Sequence, residues 1–236
     1  MRQPLSRLFI VLAGMAGTVA TAAGIPDTLE QRIKACTACH AQQGRSDAFF
    51  PRIAGKPAGY LYNQLRNFRD GRRQYPMMTY MVEHLPDAYL REIADYFAQQ
   101  HPAPRPAQDS AATAGMLARG RQLVLQGDGA SKIPACISCH GQQLAGVAPA
   151  IPGLLGLPRD YINAQFGAWK NGVRRAQAPD CMAAIAQRLS DADVSAISNW
   201  LATQVADASA RPAAGVALPL PLHCGSVPGS TAGVSP

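Results

Sequence analysis

The sequence lacks the features of a membrane-spanning, β-sheet or nucleic-acid-binding protein. After the apolar run at residues 8–16, no stretch of the 236-residue chain is long and apolar enough to cross a bilayer. No segment alternates apolar and polar residues over enough positions to predict a sheet. The net charge of +7 is not gathered into basic runs with interleaved aromatic residues, which argues against nucleic-acid binding. The lack of such alternation favours an all-α fold.

The first 23 residues have the organisation of a cleavable export leader. Arg2 and Arg7 form a charged head, an apolar run follows, and small residues come next. Residues 20–22 and 21–23 both offer a cleavage site, and no cysteine stands there to carry a lipid anchor. Retention as an uncleaved anchor is the alternative. Cleavage would leave a net charge of about +5, and we expect the mature protein to be periplasmic.

Two short segments share the pattern C-x-x-C-H, which is the attachment pattern of c-type haem. Two thiols one helical turn apart can add to the two vinyl groups of one haem, and the adjacent histidine then lies under the iron. A Cys-rich metal site and two redox dithiols are the alternatives. The thiols are Cys36 and Cys39 in the first box and Cys136 and Cys139 in the second, and the histidines are His40 and His140. We therefore predict two covalently bound haem c groups.

The two boxes belong to a longer internal repeat. Pro51–Pro57 and Pro152–Pro158 share prolines and a glycine at an offset of 101 residues, and the helical segment that follows recurs at the same offset. Leu85 and Leu189, near the start of the last helix of each half, are 104 residues apart. We predict two domains at residues 24–101 and 115–207, with a leader at 1–23, a Pro-rich linker at 102–114 and a Pro/Gly-rich tail at 208–236.

Each half is predicted to contain a few short helices around its haem. In the first half, Gln31–Thr37 leads into the box and Tyr60–Asp70 ends before a glycine. The last helix has apolar residues at helical spacing, namely Leu90, Ile93, Ala94 and Phe97. The second half repeats this pattern, and Ser190 and Asp191 open its last helix.

The second axial ligand of each iron separates an electron carrier from a catalyst. The first half has Met77, Met78 and Met81 in the loop expected before its last helix, whereas the second half has only Met182 there. Met182 and Met78 are 104 residues apart, like the leucines that follow them. We therefore predict Met78 and Met182 as the distal ligands, and Met77 and Met81 as side chains that fill gaps in the core.

Other polar residues have less specific interpretations. His84, His101 and His223 have no partners at ligand spacing and are expected on the surface or in loops, although His84 is close enough to Met78 to compete for the iron. Five residues are candidates to hydrogen-bond haem propionates, and a solvated basic face is the alternative. They are Tyr60, Arg72, Arg73, Arg174 and Arg175.

Two cysteines lie outside the boxes. Cys181 directly precedes Met182, and Cys224 lies in the C-terminal tail. An even number of remaining cysteines in an exported protein favours a disulfide, which would tie the tail beside the second methionine. Independent thiols or a crosslink to a partner are the alternatives. The Gly/Ser/Pro-rich residues Gly225–Pro236 are expected to be disordered.

Together, the boxes, the proline-glycine loops and the paired methionines resemble the tandem dihaem cytochromes c of the cytochrome c4 group. The resemblance spans Gln31–Gln204 and implies two cytochrome c domains about a pseudo-two-fold axis. It also implies a periplasmic electron carrier, not an enzyme, that works between a dehydrogenase or quinol oxidiser and a terminal oxidase or reductase. The Cys181/Cys224 pair and the long tail depart from the simplest members of the group and leave open a role as a subunit of an oxidoreductase complex. Its redox partners would present acidic docking faces, and peripheral association with membrane complexes is compatible with this role. A dihaem peroxidase-like enzyme and a gas-binding haem sensor are the alternatives.

Overall fold

The computed structural model describes residues 27–40, 50–101, 103, 105–215 and 219–230, and the predicted leader lies outside them. The described part contains nine α-helices and one hairpin of two-residue strands, which confirms the all-α prediction. None of these helices has the length and apolarity needed to span a membrane. In chain order the elements are α1 (Leu29–His40), α2 (Ala58–Arg69), α3 (Pro76–Val82), α4 (Asp87–Ala98), α5 (Ala114–Leu125), α6 (Ile137–His140), β1 (Gly146–Val147), β2 (Ile151–Pro152), α7 (Arg159–Lys170), α8 (Cys181–Arg188) and α9 (Asp191–Ala202).

The first half packs α1 to α4 around one apolar core. The four apolar residues predicted to form a stripe on α4 are all buried. They meet apolar side chains from the other three helices, namely Ile33, Leu61, Tyr62, Phe68 and Val82. This packing holds α1, whose last residues are the first haem box, against the rest of the half.

The second half is built on α5, α7 and α9. As predicted, α9 begins after Ser190, whose side chain accepts a hydrogen bond from the Asp193 N–H while the Asp193 carboxylate accepts one from the Ser190 N–H. The sequence patterns above do not predict α5. This helix approaches α9 at Gly120, where a Cβ atom would lie 2.2 Å from the Ala196 carbonyl oxygen.

The two methionine segments are helical, whereas the sequence led us to expect loops. Pro76 begins α3, where its missing N–H and fixed φ suit the first turn of a helix. Asp180 caps α8 through a hydrogen bond that its side chain accepts from the Ala183 N–H, at 3.0 Å. Met78 and Met182 therefore stand in the first turn of two short helices.

The two halves meet through an antiparallel backbone contact at Arg73 and Arg174. The Gln74 N–H donates to the Val173 carbonyl at 2.8 Å, and the Arg175 N–H donates to the Arg72 carbonyl at 2.7 Å. These positions follow Gly71 and Gly172, which end α2 and α7 with φ angles of 71° and 72°. The repeat therefore places equivalent segments of the two halves face to face.

The described C-terminal residues are packed, so the expectation of disorder from Gly225 onward is wrong for residues 225–230. Leu220, Cys224 and Val227 form an apolar cluster with Val147, Ala150 and Ile151 around the hairpin. The Cys224 N–H donates to Ser230 Oγ at 3.0 Å. The expectation rested on Gly/Ser/Pro composition, which carries no information about these long-range contacts. Residues 231–236 lie outside the described part.

Candidate functional site

The first haem box opens into a cavity of about 420 Å³ in the first half. Cys36, Cys39 and His40 line it together with Met78. Most of the remaining wall is apolar and comes from the first core and from α3. The sequence-predicted attachment and ligand residues of this half are thus brought to one cavity.

The second box opens into a separate cavity of about 180 Å³. Cys136, Cys139, His140 and Met182 line it, which repeats the arrangement of the first half. The disulfide-bonded residues Cys181 and Cys224 also line this cavity. The second half therefore adds a covalent link directly at its methionine.

Both box histidines are oriented by a proline carbonyl at equivalent positions of the repeat. His40 Nδ1 lies 2.8 Å from the Pro51 oxygen, and His140 Nδ1 lies 2.7 Å from the Pro152 oxygen. A carbonyl accepts, so each Nδ1 carries the proton and each Nε2 keeps a lone pair for a metal. Burial lowers the pKa of both rings, which favours the neutral form that ligates iron.

The box cysteines are unpaired in the structure. Burial raises the pKa of Cys36 and Cys139, and it raises the pKa of Cys136 to about 12. A redox dithiol needs a lowered pKa at its attacking thiol. These three thiols therefore fit covalent attachment better than the dithiol alternative.

Six residues line both cavities, so one set of side chains forms the wall between them. They are Lys56, Tyr60, Gln64, Tyr161, Gln165 and Arg174. We call this set the shared wall. Arg73 lines the first cavity and reaches the same side chains, donating hydrogen bonds to Gln64, Gln165 and Tyr161 at 2.9, 2.8 and 3.2 Å.

Arg73 and Arg174 have equivalent surroundings across the contact between the halves. Arg174 is 6% exposed and donates to Gln165 at 2.6 Å, and its other guanidinium nitrogen is 3.3 Å from Gln64 Oε1. Each guanidinium also lies over an aromatic ring of its own half, at 4.6 Å for Phe68 and 3.9 Å for Trp169. Neither arginine pairs with a carboxylate among the described residues.

These arginines perturb the buried tyrosine beside them. Burial alone would raise the pKa of Tyr161, but the positive charges of Arg73 and Arg174 lower it. Burial and the neighbouring Arg73 charge lower the pKa of Arg174 itself. The site between the cavities is thus electropositive and fits a group that brings carboxylates, such as the haem propionates.

The remaining sequence candidates lie elsewhere. Arg72 forms an ion pair with Asp70 at 2.6 Å and donates to Asn67 at 2.7 Å, and it lines neither cavity. Arg175 joins the contact between the halves through its backbone. His84, His101 and His223 are all exposed, in agreement with the surface interpretation.

Two functional candidates were missed by the sequence reasoning. Lys56 lines both cavities, and burial lowers its pKa. Its repeat-equivalent is Leu157, so this break in the repeat could have identified it. Trp169 lines the second cavity, and its buried Nε1 has no hydrogen-bond partner among the described residues. An indole N–H left in this state fits an acceptor on a bound group.

Both cavities therefore contain what a covalently attached haem requires. Each has two thiols, an oriented neutral imidazole, a thioether and apolar walls, and cations lie between them. The thiols could hold the macrocycle, and the imidazole and thioether could bind the iron from its two sides.

Comparison with known proteins agrees with this arrangement. A family model described as cytochrome c oxidase, cbb3-type, subunit III matches residues 122–201. A thiosulfate dehydrogenase electron acceptor from Thiomonas intermedia is 40% identical over 72% of this chain and 78% of its own length. A cytochrome c4 from Pseudomonas aeruginosa is 33% identical over 85% of this chain and 98% of its own. A solved thiosulfate dehydrogenase from Marichromatium purpuratum superposes with a TM-score of 0.62 at 32% identity, over 72% of this chain and 36% of that longer chain.

Proposed function

We propose that this chain, which belongs to the family of dihaem cytochromes c that includes cytochrome c4, accepts electrons from a thiosulfate dehydrogenase. Members of this family carry two covalently bound haem c groups and transfer electrons, and so does this protein. The choice of donor is supported by the higher identity with a thiosulfate dehydrogenase electron acceptor than with cytochrome c4. A terminal oxidase or reductase would take the electrons onward.

The observation that supports a two-centre electron carrier is the shared wall. Because the same six side chains line both cavities, an electron held in one half is one layer of side chains from the other half. A donor can therefore dock at one half and an acceptor at the other. This arrangement suits a two-centre carrier that collects single electrons and passes them on.

The chain's own residues favour transfer without bond making. Haem, when bound, supplies an iron that alternates between ferric and ferrous states by one electron. His40 and Met78 in one half, and His140 and Met182 in the other, are the axial ligands that we propose. With both positions filled, neither half offers a substrate a place at the iron, and we therefore propose a carrier and not an enzyme. The apolar walls would limit the access of water to a bound haem, and methionine ligation would shift its potential upward.

The cellular setting is part of the proposal. The leader at residues 1–23 favours export, and covalent haem attachment of this kind takes place outside the bacterial inner membrane. We propose a periplasmic protein with domains at residues 24–101 and 115–207. Its basic net charge favours partners with acidic docking faces.

The proposal is tested by reducing the purified ferric protein with thiosulfate and a catalytic amount of a thiosulfate dehydrogenase. Oxidative coupling of two thiosulfate ions to tetrathionate releases two electrons, which matches one per haem in this chain. We expect full reduction in the haem absorption bands, no reduction without the dehydrogenase, and tetrathionate formed in proportion. A protein that dithionite reduces but the dehydrogenase does not would contradict the proposed donor.

A further inference from the structure

We propose that the C-terminal residues 219–230, which we call the strap, hold Met182 in position at the second haem through the Cys181–Cys224 disulfide. The strap fixes the methionine ligand of the second haem. The described residues of the first half contain no comparable disulfide-linked segment. This inference depends on Met182 as an axial ligand and not on the identity of the electron donor.

The disulfide places the strap directly at the proposed ligand. Cys181 is the first residue of α8 and precedes Met182, and its sulfur is bonded to that of Cys224 across a sequence separation of 43. Cys224 is 4% exposed. Leu222, Ser226 and Val227 of the strap line the same cavity as Met182. The strap therefore forms part of the wall of the cavity that Met182 lines.

The strap is seated by contacts that do not involve the disulfide. Leu220 and Val227 are buried in the cluster around the hairpin. The Gly225 N–H donates to the Pro179 carbonyl at 2.9 Å, just before α8. A Cβ at Gly225 would lie 2.1 Å from the Ala178 carbonyl oxygen, so only glycine allows this approach. From the first half, the Asn63 side chain donates to the Ser226 carbonyl at 3.0 Å.

The first half has an exposed methionine where the second has Cys181. The offset of 104 residues that relates Met78 to Met182 also relates Met77 to Cys181. Met77 is 61% exposed, and the nearby Tyr75 and Tyr80 are exposed as well. Nothing in the described part of the chain covers α3 as the strap covers α8. An added ligand is therefore expected to replace the methionine more readily at the first haem than at the second.

The decisive variant is Cys181→Ser/Cys224→Ser, which removes the link and leaves no unpaired thiol. We expect the ferrous double variant to bind carbon monoxide at one haem per chain. Its affinity should rise by about 10–100-fold over the parent's, by analogy with the 10–100-fold change in metal affinity or activity that follows the loss of an outer-shell partner. The reduction potential of one haem should fall as methionine ligation weakens, and the weak red methionine-to-iron band should lose intensity. Haem content and helical circular dichroism should stay at the parent's values.

Three further variants show which haem binds carbon monoxide and whether the loss of support for Met182 is the reason. Met182→Ala provides the reference spectrum of an open second haem, and adding the two serines to it should give no further increase in carbon monoxide binding. Met77→Ser, at the repeat-equivalent position, should bind carbon monoxide like the parent. Gly225→Val retains both cysteines but obstructs the seat of the strap, and it should open the same haem.

The outcomes separate the alternatives. Parent-like carbon monoxide binding and potentials in the double variant would overturn the proposal and leave the disulfide with a role in stability alone. An additional increase on the Met182→Ala background would also overturn it, since the strap would then act on something other than Met182.

Discussion

At the residue scale, the first cavity offers a choice of thioethers that the second does not. Met77, Met78 and Met81 all line the first cavity, whereas Met182 alone does so among the methionines described around the second. Met77 is mostly exposed, while Met78 and Met81 pack against the first core. Burial therefore narrows the choice to two side chains, and the repeat favours Met78.

Replacing Met78 with alanine should open the first haem. A thioether ligand would be lost, so one ferrous haem per chain should be high-spin before carbon monoxide is added and should then bind carbon monoxide to become low-spin. Met81→Ala is the matched control, because it removes a neighbouring methionine from the same cavity wall and should leave the ligation unchanged. Carbon monoxide difference spectra of the two variants check this prediction, and an open haem in Met81→Ala with a closed one in Met78→Ala would reverse the assignment.

The haem-attachment residues could be predicted from the sequence, because thioether chemistry dictates their spacing. The C-x-x-C-H order follows from thioether attachment, and both boxes reach cavities that also contain a methionine. The break in the repeat at Lys56 marks that residue as unusual, but its place at both cavities and the unsatisfied indole N–H of Trp169 come from the fold. Such properties depend on what the folded chain brings near a side chain and not on its sequence neighbours.

At the scale of elements, local patterns predicted some helices and missed others. The apolar stripe of α4 and the cap of α9 are local features, and both appear as predicted. The strap depends on contacts between residues far apart in the sequence, such as Val227 with Val147 and Ile151 of the hairpin. Composition gave no indication of these contacts. The crossing of α5 and α9 is likewise visible only once both helices are placed.

Gly120→Ala tests how closely that crossing must be packed. A Cβ at this position would lie 2.2 Å from the Ala196 carbonyl oxygen, so the two helices must separate to accept it. We expect the free energy of unfolding to fall by about 1–3 kcal/mol, measured by thermal or denaturant unfolding of the haem-loaded protein.

Gly115→Ala in the same helix is the control for that substitution. A Cβ at Gly115 would meet nothing within 4 Å, and alanine is the better helix former, by up to about 1 kcal/mol. The control should be neutral or stabilising. Equal destabilisation by both substitutions would contradict the prediction, because the close approach of Gly120 to Ala196 would then not distinguish the two positions.

At the scale of the molecule, the repeat predicted two similar halves but not how they meet. Arg73 and Arg174 were candidates to hydrogen-bond haem propionates, with a solvated basic face as the alternative. The structure joins the two arginines through one network of glutamines and tyrosines that belong to the shared wall. Equivalent residues face each other because α2 and α7 each end at a glycine that turns the chain toward the other half. A sequence comparison of the two halves shows which residues are equivalent, but it does not show that these residues meet in the fold.

The charge of the whole molecule leads to a prediction about partner docking. With about five net positive charges after leader removal, the protein should approach an acidic redox partner faster than an uncharged body would. The Debye length falls from roughly 30 Å at 0.01 M salt to roughly 8 Å at 0.15 M, so this steering weakens as salt is added. We expect the second-order rate constant for electron exchange with the partner to fall several-fold over that range in stopped-flow measurements. Reduction by an uncharged hydroquinone is the control and should hardly change. A partner rate that is equally insensitive to salt would mean that docking depends on apolar contact, for which the exposed Tyr75, Met77 and Tyr80 of the first half would be the residues to replace next.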